Sequence, residues 1–423
     1  MQAQGLVQQL LDAGADDATV RVAEHHMHEL EVEWSELSML RTTHAREATL
    51  TALVGGRKGV TSCNLADPED VAQSIEKTVD LARGSRPDPA HTLADGSEPR
   101  TFEAGAAEPD LDAMHDRLEE LLAWRQQAFP RVRTQGLAVT FDQRRLHHAN
   151  SRGVDLQSRT SSYGFGCMFV AADGKRVSSL NGLGGRAPAL DRPLSELMPL
   201  ERLFGQAESM IDTAPVPHKF VGDLIITPEA LNELLRYALG FLGDHAMIRG
   251  TSVYQEALGQ AIATEALTLR ARSREGMAEP CFITHDGFVA EDDTIIRDGV
   301  LQGYLLSLYG ANKTGRDRAR TAAAGFEIEP GDRPLQEMVR GVKEGVLLAR
   351  FSGGYPADNG DFAGVAKNSF YIRDGKVQHA LSETMVSGNL VRMLEQIVGI
   401  SRERISDGAS LFPWLHVEGI TIS

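Results

Sequence analysis

Alternation of apolar and polar side chains at every second position most narrows what this chain can fold into. Residues 19–22, 30–34 and 48–54 carry it, and each stretch reads as a strand with one buried and one solvated face. Further strands are predicted at 60–62, 137–141, 154–158 and 163–170, with a closing strand at 415–422. Helical spacing interrupts them irregularly. Leu6, Val7, Leu10 and Leu11 form an apolar stripe stopped by Gly14, and Asp67 with Pro68 starts a helix reaching about Ala82. Leu111, Met114, Leu118, Leu121 and Leu122 mark a helix over 110–129, and two more are predicted at 195–212 and 390–398. Helices and strands do not alternate as regular βαβ units. The fold class is therefore α+β, with mixed, largely antiparallel sheets and packed helices.

At 423 residues the chain has room for two or three domains. Residues 84–109 are rich in Gly, Pro, Ala, Ser and Asp and read as a linker, and Ala214-Pro215-Val216-Pro217 reads as a second boundary. The expected domains are 1–88, 105–214 and 216–423. The last opens on a buried strand at 223–226, then Thr227 as a cap, Pro228 at the first helical position and Glu229 in the first turn. Leu231, Leu234, Leu235, Ala238, Leu239 and Leu242 form one apolar helical stripe. Gly55 to Gly59, Asp286-Gly287, Asp298-Gly299 and Asp374-Gly375 read as turns.

Asp plus Glu number 59 against 43 Lys plus Arg, a net charge of −16 that would repel a phosphate backbone. Nucleic acid is not an expected partner. Nor is a membrane: no window approaches the roughly 18 apolar residues of a span, and the N-terminus has no signal-peptide pattern. Cys63, Cys167 and Cys281 are too few and too scattered for a disulfide framework, which points to a reducing cytoplasm.

Spacing alone yields no active site. Neither nucleotide-binding glycine motif occurs, and Gly182-Leu183-Gly184-Gly185 reads as a flexible turn rather than a phosphate cradle. His25, His26 and His28 lack a carboxylate at ligand spacing and read as a solvated strand edge. His147 and His148 would point to opposite faces of a strand. Glu291-Asp292-Asp293 reads as an acidic hairpin turn, and no nucleophile elbow or Cys–His pairing is present.

The order of short motifs is more telling than any one of them. Gly14-Ala15-Asp16-Asp17-Ala18 and Val54-Gly55-Gly56-Arg57-Lys58-Gly59 come first, and Arg249-Gly250-Thr251-Ser252-Val253 and Gly360-Asp361-Phe362 follow. Phe370-Tyr371-Ile372-Arg373-Asp374-Gly375-Lys376, Ser387-Gly388-Asn389 and Val417-Glu418-Gly419-Ile420-Thr421-Ile422 complete the series. In this colinear order the chain resembles the TldD/PmbA (TldD/TldE) family, once labelled modulator of DNA gyrase. Its TldD-type member is a zinc peptidase with H-E-x-x-x-H on a helix, where two histidines would hold the metal and the glutamate would serve as base. A five-residue ligand spacing lies about 140° apart on an ideal helix, so it needs a distortion that glycine permits.

The matching stretch here is Arg236-Tyr237-Ala238-Leu239-Gly240-Phe241. Arg236, Tyr237 and Phe241 stand at the ligand and base positions, and a register shift of one residue restores none of them. TldD-type chains also supply a late cysteine ligand, whereas the corresponding region here is Ser406-Asp407-Gly408-Ala409-Ser410. The resemblance thus implies a TldE/PmbA-like, non-catalytic subunit of a cytoplasmic zinc metalloprotease that degrades or matures unfolded peptides. Catalytic and metal-binding residues are expected to be absent, with zinc only in a TldD-type partner of the heterodimer. The alternatives are a stand-alone homodimeric peptide-binding protein and an enzyme with an unrecognised site. Tyr237 and Phe241 are expected to pack, and Arg236 to pair with a carboxylate.

Overall fold

Long strands dominate the computed structural model, which describes residues 3–33, 36–96 and 98–423. Strand β1 (Asp17–Glu33) pairs antiparallel with β2 (Glu36–Val54), and β2 with β3 (Arg57–Asn64). After β4 (Arg100–Ala104), strands β5 (Val132–Asn150) and β6 (Asp155–Asp173) form a second long hairpin, and β7 (Asn181–Ala187) pairs with β6. β1 also pairs with β5, from Thr19↔Asn150 to Val32↔Leu137. Segments 1–88 and 105–214 therefore contribute to one sheet, ordered β3-β2-β1-β5-β6-β4.

One face of that sheet carries two cores. Helices α1 (Ala3–Asp12) and α2 (Pro68–Gly84) cover Val20, Val22, Leu50 and Ala52 at one end. Helix α3 (Leu111–Ala128), with the short α4 (Leu194–Leu197) and α5 (Leu200–Ser209), covers Leu30, Val139, Phe165 and Phe169 at the other. Between the cores the strands are mostly polar, with Ala23, Met27 and Leu146 as isolated apolar residues, which is why the alternating pattern covers only their ends. The short strands expected at 19–22, 30–34 and 48–54 are parts of β1 and β2, with Trp34 outside the described residues.

Several expectations are corrected. His25, His26 and His28 lie on an interior strand, not an edge, and His25 Nε2 meets Asp142 Oδ1 at 2.8 Å, a carboxylate supplied by β5. The stretch 84–109 contains β4, a parallel edge strand beside β6. Gly182 to Gly185 form strand rather than a turn, and 195–212 breaks into α4 and α5 at Pro199, which cannot continue a helix. Asp292 is not in a hairpin turn: its carboxylate accepts the backbone N–H groups of Ser273, Arg274 and Glu275. The turn at 55–59 is only Gly55-Gly56, both at positive φ, with Arg57 already in β3.

His147 and His148 do face opposite ways. His147 bonds Asp155 at 2.8 Å, while His148 is buried, with Nε2 3.2 Å from the Thr19 hydroxyl. Burial, with Arg21 and His285 nearby, pushes the His148 pKa down to about 4. The unfolded chain then takes up this proton between about pH 6.5 and 4 while the folded chain does not, so stability should fall as pH drops through that window. The loss approaches ~3 kcal/mol for this group. Urea unfolding at several pH values checks it: His148→Gln should flatten the profile by about 1 kcal/mol per pH unit between 6 and 4.5.

A second, fourteen-stranded sheet is built by residues 213–422. Its centre is β8 (Phe220–Ile226), antiparallel to the long C-terminal strand β13 (Leu411–Ile422) and parallel to β9 (Glu344–Leu348). Strands β10 (Asp361–Lys367), β11 (Met385–Asn389) and β12 (Ile397–Ser406) join it, β12 pairing along β13. Asp298-Gly299 and Asp374-Gly375 are two-residue hairpin turns with positive φ at both positions, as their sequence predicts. Helix α6 (Pro228–Gly240) lays Leu231, Leu234, Leu235, Ala238 and Leu239 on this sheet, against Leu224, Leu348, Phe351 and Leu415. Each such leucine, fully buried, stabilises by roughly 2 kcal/mol. Leu242 extends the stripe but lies beyond the helix end, and the helix expected at 390–398 stops at Glu395, with β12 starting at Ile397.

Candidate functional site

The face of α6 turned away from its leucine stripe lines a cleft of ≈ 550 Å³. Thr227 caps the helix, its hydroxyl accepting from Ala230 N at 3.4 Å, and Pro228 occupies the first turn. This fixes Glu229, Asn232, Glu233, Arg236, Tyr237 and Gly240 along one wall. The helix ends at Gly240, and the Ser252 hydroxyl donates to the Phe241 carbonyl at 2.5 Å. The Arg249-Gly250-Thr251-Ser252 motif thereby pins the C-terminal end of α6, with Gly250 in the left-handed conformation that closes α7 (Asp244–Arg249).

The opposite wall is the loop carrying Tyr355, Pro356 and Asp358. Two family motifs hold it. Asp361 accepts from Asn359 Nδ2 and Asn389 Nδ2, each at 2.8 Å, and these bonds lower its pKa. Asn389 in turn caps α8 (Leu390–Glu395), accepting from Val391 N at 3.0 Å. The Gly360-Asp361 and Ser387-Gly388-Asn389 pieces are thus parts of one loop clamp.

Each position that the resemblance aligns with the metal motif has a definite environment. Phe241 is buried and meets Tyr254 edge-on, with ring centroids 6.3 Å apart. Tyr237 is half-buried; its hydroxyl donates to Glu233 at 3.3 Å and its ring meets Tyr355 at 5.5 Å. Desolvation, then Glu233, raises the Tyr237 pKa, so the phenol stays protonated. Arg236 is exposed and pairs with no carboxylate among the described residues, contrary to the expectation. Tyr355 is 91 % exposed, an aromatic ring held out over the cleft, and its one ring contact among the described residues is with Tyr237.

A smaller cavity of ≈ 210 Å³ adjoins the cleft through Glu229 and Asn232 and is walled by Ser406, Asp407 and Ser410. The two segments singled out in the sequence, the α6 motif and 406–410, therefore border adjoining cavities. Asp407 Oδ1 accepts from Ala409 N and Ser410 N at 2.9 and 2.7 Å, so this carboxylate oxygen is spent on its own turn. Glu229 pairs with Arg202, leaving its Oε2 buried without a partner.

Zinc does not fit the three positions that the resemblance aligns with the metal motif: Arg236, Tyr237 and Phe241 offer a guanidinium, a protonated phenol and a phenyl ring, and the facing segment has no thiolate. Among the described residues the one trio of His, Cys, Asp or Glu with donor atoms within 4.8 Å is Asp223, His416 and Glu418, which does not line the cleft.

Comparison with known proteins agrees with this layout. Residues 221–423 match the model of the PmbA/TldA metallopeptidase C-terminal domain. Over 437 aligned residues the chain is 24% identical to metalloprotease PmbA of Escherichia coli O157:H7, covering 97% of this chain and 94% of that protein. The C-terminal domain, residues 221–423, belongs to the TldD/PmbA family, and the chain as a whole is similar to that family's members. The crystal structure of TldE from Thermococcus kodakarensis has the same fold, with a TM-score of 0.84, 19% identity and 99% of each chain covered. The zinc metalloprotease TldD homolog of Saccharolobus solfataricus matches less of it, at 24% identity over 43% of this chain and 44% of its own length. The chain is thus a metalloprotease-like TldD/PmbA protein of the α+β class. No helix among the described residues is long and apolar enough to cross a membrane.

Arg236 and Tyr237 of α6, and Phe241 just after it, were singled out in the sequence, whereas Asn232, the Glu229–Arg202 pair and Tyr355 were not. The last stands in Gly353-Gly354-Tyr355-Pro356, a lone aromatic in a turn-rich loop, which is the signal that could have marked it.

Proposed function

We propose that this chain is the non-catalytic, TldE/PmbA-like subunit of a cytoplasmic zinc metalloprotease that degrades or matures unfolded peptides, pairing with a TldD-type catalytic chain. One observation carries the reading. The α6 cleft is built from the segments that carry the family resemblance, yet it presents Arg236, Tyr237 and Phe241 where that resemblance would put metal ligands and base. A cleft with aromatic Tyr237 and Tyr355 and the carboxylates of Glu229, Glu233 and Asp358 can hold an extended peptide without cutting it. Zinc belongs to the partner in this reading. Capture of the tagged chain from its native host, with mass spectrometry of what comes with it, tests it. Recovery of a chain carrying H-E-x-x-x-H supports the pairing; recovery of this chain alone, as a stable dimer, favours the homodimeric peptide binder.

A further inference from the structure

Arg21 is a cation without a counter-ion. It projects from β1 toward the junction between the two sheets and lines two adjoining cavities, of ≈ 540 and ≈ 170 Å³. Among the described residues it makes no hydrogen bond or ion pair. Burial lowers its pKa, so the guanidinium is held where charge is unfavourable.

The nearby acids are occupied elsewhere. Asp286 accepts from the Thr284 hydroxyl at 2.6 Å and from Leu308 N at 2.7 Å. Glu279 bridges Arg144 and Arg186, at 3.3 and 2.8 Å, and Asp142 pairs with His25. Glu24 pairs with Arg46, and Glu47 is exposed and makes no ion pair with Arg21. The smaller cavity adds a second free cation, Lys58, and the hydroxyls of Thr49 and Thr51, which bond to no protein group among the described residues. Thr49 stands directly opposite Arg21 in the β1–β2 register, and Thr51 opposite Thr19.

We propose that the ≈ 170 Å³ cavity binds a small oxyanion, a phosphate or a carboxylate, on Arg21, with Lys58 and the threonine hydroxyls completing its shell. The planar guanidinium suits either anion, and the enclosed volume suits a single such group. Phosphate would arrive as the free ion. A carboxylate would be the C-terminal end of a peptide, a source that rests on the peptide-handling role proposed above.

Calorimetric titration of the full chain at low ionic strength tests this, with inorganic phosphate and with one short unstructured peptide as free acid and as C-terminal amide. The wild-type chain should bind phosphate, or the free acid over the amide, saturably and more weakly as NaCl is added. Arg21→Gln should weaken that binding at least about tenfold and Lys58→Gln about threefold. Lys58 is exposed, so its variant decides the matter if Arg21→Gln fails to fold, as judged by circular dichroism. Phosphate binding with no preference for the free acid assigns the free ion; the reverse assigns the peptide end. No saturable binding of either probe, or binding unchanged in the folded variants, overturns the proposal. No TldD-type chain is needed, so this result stands apart from that of the capture experiment.

Discussion

Denatured casein incubated with this chain alone should remain intact, whatever the zinc concentration. Peptide hydrolysis in this family needs a metal-bound water and a base, and Arg236, Tyr237 and Phe241 can supply neither. A guanidinium stays protonated, the Tyr237 phenol is pushed further from ionising by burial and Glu233, and Phe241 is packed on Tyr254. Adding the TldD-type chain should produce cleavage that a chelator abolishes. In that mixture Tyr237→Glu should change the rate less than about twofold, while loss of the partner's base should cost on the order of 10² or more. Gel-resolved casein digestion reads all of these. Robust, chelator-resistant cleavage by this chain alone would require a catalytic site elsewhere.

A large stability effect is expected at Gly59. A Cβ there would lie 2.1 Å from the Thr78 carbonyl oxygen and 2.5 Å from Ala82 N, both backbone atoms of α2. Backbone cannot rotate away as a side chain can, so α2 must lift from β3 and loosen Val71, Ile75 and Val79 in the first core. Gly59→Ala should therefore cost about 2–4 kcal/mol. Gly56, three residues earlier in the same motif, has nothing within 4 Å of an added Cβ but sits at φ +71. Gly56→Ala should cost only about 1 kcal/mol, through backbone strain. Parallel urea titrations check the ordering, and equal midpoints for the two variants would contradict the packing argument.

What could be read in advance was local. Asp67, Asp110 and Thr227 cap the helices whose sequences announced them, because a cap acts within three residues of itself. Asp374-Gly375 makes a hairpin turn for the same reason. The full lengths of β1, β5 and β6 were not legible, since their middles are mostly polar and the alternating signal vanishes there. His25 looked unpartnered because Asp142 lies 117 residues away and only the β1–β5 register brings it close. β4 escaped because it is an edge strand whose pairing with β6 leaves it mostly exposed.

The site was half legible. Family resemblance located α6 and the 406–410 segment, and the fold brings them to adjoining cavities. The Tyr355 loop and Arg202, the partner of Glu229, come from segments with no recognisable spacing to α6, so only the packed chain reveals them. The clamp by Asp361 and Asn389 gives a physical reason for two of the motifs that carried the resemblance.

The most direct test of the subunit assignment is the zinc content and mass of an equimolar mixture of this chain with a TldD-type chain, purified by size exclusion. The account predicts a one-to-one complex holding about one zinc, with none retained by this chain when it is purified alone. About one zinc per chain in the isolated protein, lost on substituting residues of the Arg236 to Phe241 stretch, would contradict it, as would failure of the two chains to associate.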